Sequence, residues 1–104
     1  MKKLIVPVLA GAMSLAAFQA MAADKVTLQL KWVTQAQFAG YYVAKAKGFY
    51  EAEGLDVEIK PGGPDIAPEQ VIAGGGADVI VDWMGGALAA REKGVPLVLS
   101  LIHI

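Results

Sequence analysis

Two tryptophans in this chain each follow a predicted strand, and polar side chains lie close to both in sequence. Trp32 closes one strand and is followed by Gln35 and Phe38, and Trp83 stands directly after Asp82 at the end of another strand. Indole rings stack on flat aromatic molecules, and a nearby amide or carboxylate can read the polar edge of such a ring. The pattern predicts a binding site for a planar heteroaromatic molecule.

Each of these residues also has a purely structural interpretation. Trp32 could cover the edge of the core, Trp83 could pack at the start of a helix, and Asp82 could cap that helix, a frequent role for Asp. Of the neighbours Tyr41 and Tyr42, one is expected in the core and the other at the cleft. The predicted ligand-binding residues are Trp32, Gln35, Phe38, Tyr41, Asp82 and Trp83, and no catalytic or metal-ligating residue is predicted.

The elements that must position these residues alternate between strand and helix. Alternating or short apolar runs predict strands, and helical periodicity with glycine stops predicts helices. The strands fall at 26–30, 55–60, 78–82 and 97–98, the helices at 37–47, 68–73 and 86–93, and a short helical turn at 49–53. This order predicts an α/β fold with a mostly parallel sheet and flanking helices. Ligands of such sheets bind at the carboxyl ends of the strands.

Composition excludes several classes of site. The chain has 104 residues and no cysteine, so disulfides and thiolate metal sites are excluded. Residues 23–104 carry ten acidic and seven basic side chains, a formal charge of −3, without a basic stripe. That distribution argues against nucleic acid as a partner. The glycine run at 74–76 lacks the following Gly-Lys-Ser/Thr of a phosphate loop.

The N-terminus has the order of a signal peptide. Lys2 and Lys3 precede the apolar run 4–18, and Ala20-Met21-Ala22 is a small-x-small cleavage site. We expect residues 1–22 to be removed after Ala22 and the protein to be periplasmic.

The C-terminal residues 99–104 match the translation of a common sequencing adapter. The alternative is a native strand that follows Pro96. The adapter interpretation is favoured, so native sequence is expected to end near Val98, leaving residues 23–98 as a partial N-terminal lobe. His103, the only histidine, would then have no chemical role.

The segment from Lys47 to Ile59, with Trp32 and with Gly40 and Tyr42-Val43-Ala44, resembles the first lobe of bacterial solute-binding proteins of ABC importers. Within them it is similar to the branch of thiamine-precursor pyrimidine binders and fungal-type thiamine pyrimidine synthases. The resemblance implies the first part of lobe 1 of a type II periplasmic-binding-protein fold. Thr34, Gln35 and Phe38 replace the Pro, Asn and His of that branch. An additional aromatic side chain favours a larger flat ring such as a flavin.

The resemblance implies capture of a small heteroaromatic vitamin or precursor, either a pyrimidine thiamine precursor or a riboflavin-like molecule. The expected protein is a monomeric substrate-binding component without a cofactor, not an enzyme, whose partner is an ABC permease in the inner membrane. One alternative is an enzyme like the thiamine pyrimidine synthases, which would call for a reactive histidine and a lysine that holds a pyridoxal cofactor. Another is a sulfonate- or nitrate-type binder of small anions.

Overall fold

The computed structural model describes residues 22–100 as a small sheet covered by short helices. The predicted signal peptide, apart from its last residue, and residues 101–104 of the predicted foreign tail lie outside the described residues. No helix of the described part is long and apolar enough to cross a membrane. The elements are β1 (Asp24–Gln29), a 3-10 turn (Ala36–Phe38), α1 (Ala39–Ala46), α2 (Phe49–Ala52), β2 (Leu55–Lys60), α3 (Pro68–Ala73), β3 (Val79–Ile80) and α4 (Met84–Glu92).

The three strands form one parallel sheet with the order β2-β1-β3. The pairing of β1 with β2 runs from Asp24 opposite Leu55 to Gln29 opposite Lys60, and β3 pairs with the end of β1. Strand β1 is therefore central, and its carboxyl end lies between the ends of the two others. The predicted α/β fold with a parallel sheet and flanking helices is confirmed.

The core forms where the apolar face of the sheet meets the start of α1. Leu28, Leu30, Phe38 and Val57 are buried together. Tyrosines and aliphatic side chains of β1, β2, α1 and α2 pack against them. Burial, and then the neighbouring Tyr41, raises the pKa of the half-buried Tyr50 phenol above its ordinary value of 10.0. This core fixes the N-terminal end of α1 against the end of β1.

Glycines end the helices at the predicted places. Gly48, between α1 and α2, has φ 71°, and Gly54, between α2 and β2, has φ 77°. Both lie in the left-handed region, which costs other residues energy and glycine little. These stops allow two short helices to return the chain to the start of β2.

Five predicted elements have other bounds in the structure, two of them, the strand at 26–30 and the turn at 49–53, by only one or two residues. The helix expected at 37–47 is a 3-10 turn followed by α1, the strand expected at 78–82 has only two residues, and α4 begins at Met84. The predicted strand at 97–98 is wrong, since residues 95–100 have no regular structure. The Leu97 N–H donates locally to the Val95 carbonyl oxygen at 2.8 Å, and Val98 is 86% exposed. The sheet of the described residues consists of β2, β1 and β3 and includes no strand from this segment.

Candidate functional site

A cleft of about 450 Å³ lies at the carboxyl ends of β1 and β3. We call it the strand-end cleft and define it by its nine lining residues. All six residues predicted from the sequence line it. The complete set is Lys31, Trp32, Gln35, Gln37, Phe38, Tyr41, Val81, Asp82 and Trp83. The structure thus brings the predicted residues together, and their contact with a ligand stays a prediction.

The aromatic side chains of the strand-end cleft differ in exposure. Trp32 is 38% exposed and Trp83 is 73% exposed, so both indole rings have free surface. Phe38 is only 4% exposed and belongs to the core. Phe38 therefore supports the cleft from beneath, whereas the tryptophans border it and offer faces for stacking.

Tyr41 and Tyr42 were expected to lie one in the core and the other at the cleft, and the structure agrees only in part. Both are half-buried and both pack against the core, yet only Tyr41 lines the strand-end cleft. The Tyr42 hydroxyl forms a hydrogen bond of 3.1 Å with the Thr34 hydroxyl. Tyr42 thereby ties the segment after Trp32 to helix α1, and Tyr41 is the tyrosine at the cleft.

The end of β1 is held by the loop that follows β2. The Gly62 N–H donates to the Trp32 carbonyl oxygen at 2.9 Å, and the Leu30 N–H donates to the Lys60 carbonyl oxygen at 2.9 Å. The side chain of Gln29, 4% exposed, donates from Nε2 to the Leu30 and Pro61 carbonyl oxygens at 3.0 and 3.1 Å. These bonds fix the backbone that carries Lys31 and Trp32.

An ion pair joins the two strand ends across the cleft. Lys31 Nζ lies 2.8 Å from Asp82 Oδ1, with side-chain exposures of 18% for Lys31 and 3% for Asp82. The same ammonium lies 5.0 Å from the centroid of the Trp83 ring, a distance at which the ring face attracts a cation. Lys31 is a cleft residue that the sequence analysis did not select. Its position directly after the predicted strand at 26–30, beside Trp32, was the available signal.

Asp82 has a role that neither sequence interpretation described. Its Oδ1 also accepts the Trp83 N–H at 2.8 Å, and its Oδ2 is buried with no hydrogen-bond partner among the described residues. Trp83 is the N-cap residue of helix α4, and no side chain forms a capping hydrogen bond with this helix. The carboxylate is turned toward Lys31, so Asp82 orients the lysine and does not cap the helix.

Two glutamine amides complete the polar surface of the cleft. Gln35 and Gln37 are exposed, and their side chains have no hydrogen-bond partner within residues 22–100. Each amide can donate and accept. Across the same residues, no group of three or more acidic or histidine side chains could hold a metal ion.

The fold and the cleft define a class of protein. A parallel sheet flanked by helices, with an aromatic cleft at its strand ends, fits a fragment of a periplasmic-binding fold. The chain belongs to the NMT1/THI5-like family, whose model matches residues 35–102. This confirms the resemblance found in the sequence.

The relatives of this chain carry two kinds of name, thiamine-related and riboflavin-binding. It is 32% identical over 78 residues to the 4-amino-5-hydroxymethyl-2-methylpyrimidine phosphate synthase THI11 of Saccharomyces cerevisiae, covering 74% of this chain and 23% of that protein. A putative thiamine biosynthesis protein of Haemophilus influenzae is also 32% identical over 78 residues, with 74% and 24% covered. The riboflavin-binding protein RibY of Chloroflexus aurantiacus is 53% identical over 34 residues, 33% of this chain and 10% of RibY. The chain spans less than a quarter of the length of these relatives. No solved structure matches it.

One prediction is corrected by these relatives. The expectation that the protein is not an enzyme is wrong, because relatives that match 74% of the chain are named as phosphate synthases, which are enzymes. The expectation arose from the signal-like N-terminus and from the resemblance to solute-binding proteins. Neither observation concerns the larger part of the relatives' sequences, which this chain does not cover.

Proposed function

We propose that this chain forms one wall of a site for a planar heteroaromatic vitamin or precursor, of the riboflavin or thiamine-pyrimidine class. The observation that carries the proposal is the strand-end cleft, where two partly exposed indole rings meet a lysine and two exposed glutamine amides. Such a mixture of stacking surface and few polar groups is typical of sites for aromatic ligands. The names of the thiamine-related and riboflavin-binding relatives support the same ligand classes.

The role proposed for the full-length protein is the substrate-binding component of an ABC importer in the periplasm. A second lobe would cover the open side of the strand-end cleft. Ligand binding would then favour the closed state in proportion to its differential affinity for the two states. The permease in the inner membrane would recognise the closed monomer.

The second candidate is an enzyme related to the thiamine pyrimidine synthases. The observation that favours it is the identity to synthases over 74% of the chain. In this candidate the strand-end cleft would hold a pyrimidine-type molecule or a cofactor ring. The lysine of the cleft does not fit a pyridoxal Schiff base as it stands, because Lys31 Nζ is held at 2.8 Å by Asp82. The synthase candidate thus rests on its relatives and not on this lysine.

A sulfonate- or nitrate-type site is less well supported. The cleft lining contains one cation, Lys31, and one anion, Asp82, and they pair with each other. A small anion needs an excess of positive charge or several converging donors. The paired charges leave no excess, and the aromatic borders suit a ring better.

The first test measures ring binding by tryptophan fluorescence. In the full-length protein, riboflavin or 4-amino-5-hydroxymethyl-2-methylpyrimidine should quench the indole emission on binding. Trp32→Ala should weaken binding by about 1–3 kcal/mol, the cost of removing a large buried contact, with the thermal midpoint little changed because Trp32 lies outside the buried core. Phe49→Ala, which removes an exposed aromatic ring outside the cleft, is the matched control. Unchanged affinity in Trp32→Ala, or its failure to fold, would contradict the stacking role.

The locus separates the importer from the synthase. Neighbouring genes for a permease and an ATPase, together with tight ligand binding, would support the importer. Production of the phosphorylated pyrimidine by the purified full-length protein would support the synthase.

Export is tested by the N-terminus of the protein. Mass spectrometry of a periplasmic extract should show a protein that begins at Ala23, because the order of basic, apolar and small residues directs cleavage after Ala22. A product that retains Met1 and stays in the cytosol would contradict the importer role.

A further inference from the structure

Lys31 is a fixed hydrogen-bond donor with unused capacity. An ammonium has three N–H groups, and Asp82 Oδ1 accepts one of them at 2.8 Å. No other acceptor for Lys31 occurs among the hydrogen bonds of residues 22–100. Its side chain is 18% exposed, at the strand-end cleft. Two donors are therefore available to a molecule in the cleft.

The surroundings hold this donor in place before a ligand arrives. Asp82, 3% exposed, anchors the ammonium from behind, and the Trp83 ring lies 5.0 Å from it. The Asp82 carboxylate is in turn fixed by the Trp83 N–H at 2.8 Å. A preorganised donor loses little conformational entropy when it binds an acceptor, so more of the interaction energy goes into affinity.

The charges at this point select the kind of acceptor. Because Lys31 and Asp82 together carry no net charge, they do not favour an anion over a neutral molecule. The carboxylate of the cleft lining belongs to Asp82, whose Oδ1 pairs with Lys31 and whose Oδ2 is buried, so an amino group on a ligand finds no accessible charged acceptor there. A neutral carbonyl oxygen suits the free N–H groups of Lys31 best.

We infer that Lys31 determines the specificity of the strand-end cleft by donating to a ring carbonyl, and that Asp82 is its positioning residue. This rests on the proposed binding of a planar ring. It favours carbonyl-bearing rings of the isoalloxazine class over aminopyrimidines. Trp32 supplies a stacking surface that any flat ring can use, and Lys31 discriminates carbonyl-bearing rings from rings without a carbonyl.

The test compares two neutral tricyclic rings in the full-length protein, lumiflavin with its carbonyls and phenazine without them. The wild-type protein should bind lumiflavin about tenfold or more tightly than phenazine, since a hydrogen bond from a charged donor is worth that much. Lys31→Met should reduce the ratio of affinities to about two or less, because the carbonyl oxygens of lumiflavin lose their charged donor, whereas acceptor nitrogens are present in both rings. The double variant Lys31→Met/Asp82→Asn should show the same loss without a buried unpaired carboxylate, which covers the case in which the single variant does not fold. Lys47→Met, which removes a lysine that does not line the cleft, should keep the wild-type ratio.

The outcomes separate this inference from the proposed function. Equal affinity of the wild-type protein for the two rings overturns the inference and leaves ring binding intact. A wild-type ratio retained in the double variant also overturns it. If the wild-type protein binds neither ring nor 4-amino-5-hydroxymethyl-2-methylpyrimidine, the proposed function fails and the inference fails with it.

Discussion

Gly62→Ala should strongly destabilise the protein, whereas Gly63→Ala, one residue later, should have little effect. A methyl group at Gly62 would lie 2.5 Å from the Lys31 carbonyl carbon and 2.6 Å from the Trp32 nitrogen, and it would also meet the Leu30 carbonyl oxygen. All three are backbone atoms, which cannot rotate away as a side chain can. At Gly63 the same methyl group meets nothing within 4 Å.

The cost at Gly62 exceeds that of ordinary overpacking. Extra atoms in a packed site cost about 1–3 kcal/mol when side chains can adjust, and more when they cannot. Here the backbone after β1 must move, which also breaks the bond of 2.9 Å from the Gly62 N–H to the Trp32 carbonyl oxygen. We expect a loss of about 3 kcal/mol or more in the free energy of unfolding, by the same principle. Urea denaturation of the full-length variants measures it.

Ligand binding is a second measurement that should distinguish the Gly62→Ala and Gly63→Ala variants. Because Lys31 and Trp32 lie on the displaced segment, any Gly62→Ala protein that folds should bind rings weakly, and Gly63→Ala should bind like the wild type. A Gly62→Ala protein with wild-type stability would show that the close approach between this loop and the end of β1 does not occur.

The local signals of the sequence located several elements well. Strand β2 and helix α3 occupy the predicted residues, because strict alternation marks the one and Pro68 with a glycine stop marks the other. The six candidate residues meet at one cleft because the carboxyl ends of parallel strands share an edge of the sheet. That conclusion needed only the order of the elements.

The interactions between distant segments could not be read from local pattern. Lys31 and Asp82 meet because β3 lies beside β1, and the strand order β2-β1-β3 is a tertiary property. The same holds for the contact of Lys45 in α1, whose Nζ donates to the Val57 carbonyl oxygen at 2.5 Å. The strand predicted at 97–98 also depended on a distant segment, since an apolar run forms a strand only when it pairs with another strand, and residues 97–98 pair with none in the described part of the chain.

The second large loss of stability is expected when the lysine of the Lys31–Asp82 ion pair, its more exposed partner, is replaced. Lys31→Met leaves the Asp82 carboxylate, 3% exposed, without its cation. Removing one partner of a buried pair costs about 3–5 kcal/mol, because the remaining charge is desolvated and uncompensated. We expect about 3 kcal/mol, the lower end of that range, since Lys31 itself keeps 18% exposure and water reaches the pair from that side.

The two side chains of this ion pair differ in exposure, so replacing one should cost more stability than replacing the other. That difference is a sharper test than either cost alone. Asp82→Asn leaves an ammonium that can turn toward solvent, so it should destabilise the protein less than Lys31→Met does. The double variant Lys31→Met/Asp82→Asn removes both charges and should recover much of the loss, giving a coupling energy of about 1 kcal/mol or more in a double-mutant cycle. Lys47→Met, at an exposed position, serves as the control for loss of a lysine alone. If the two single losses simply add, the two side chains act independently, and Asp82 does not hold Lys31 at the cleft.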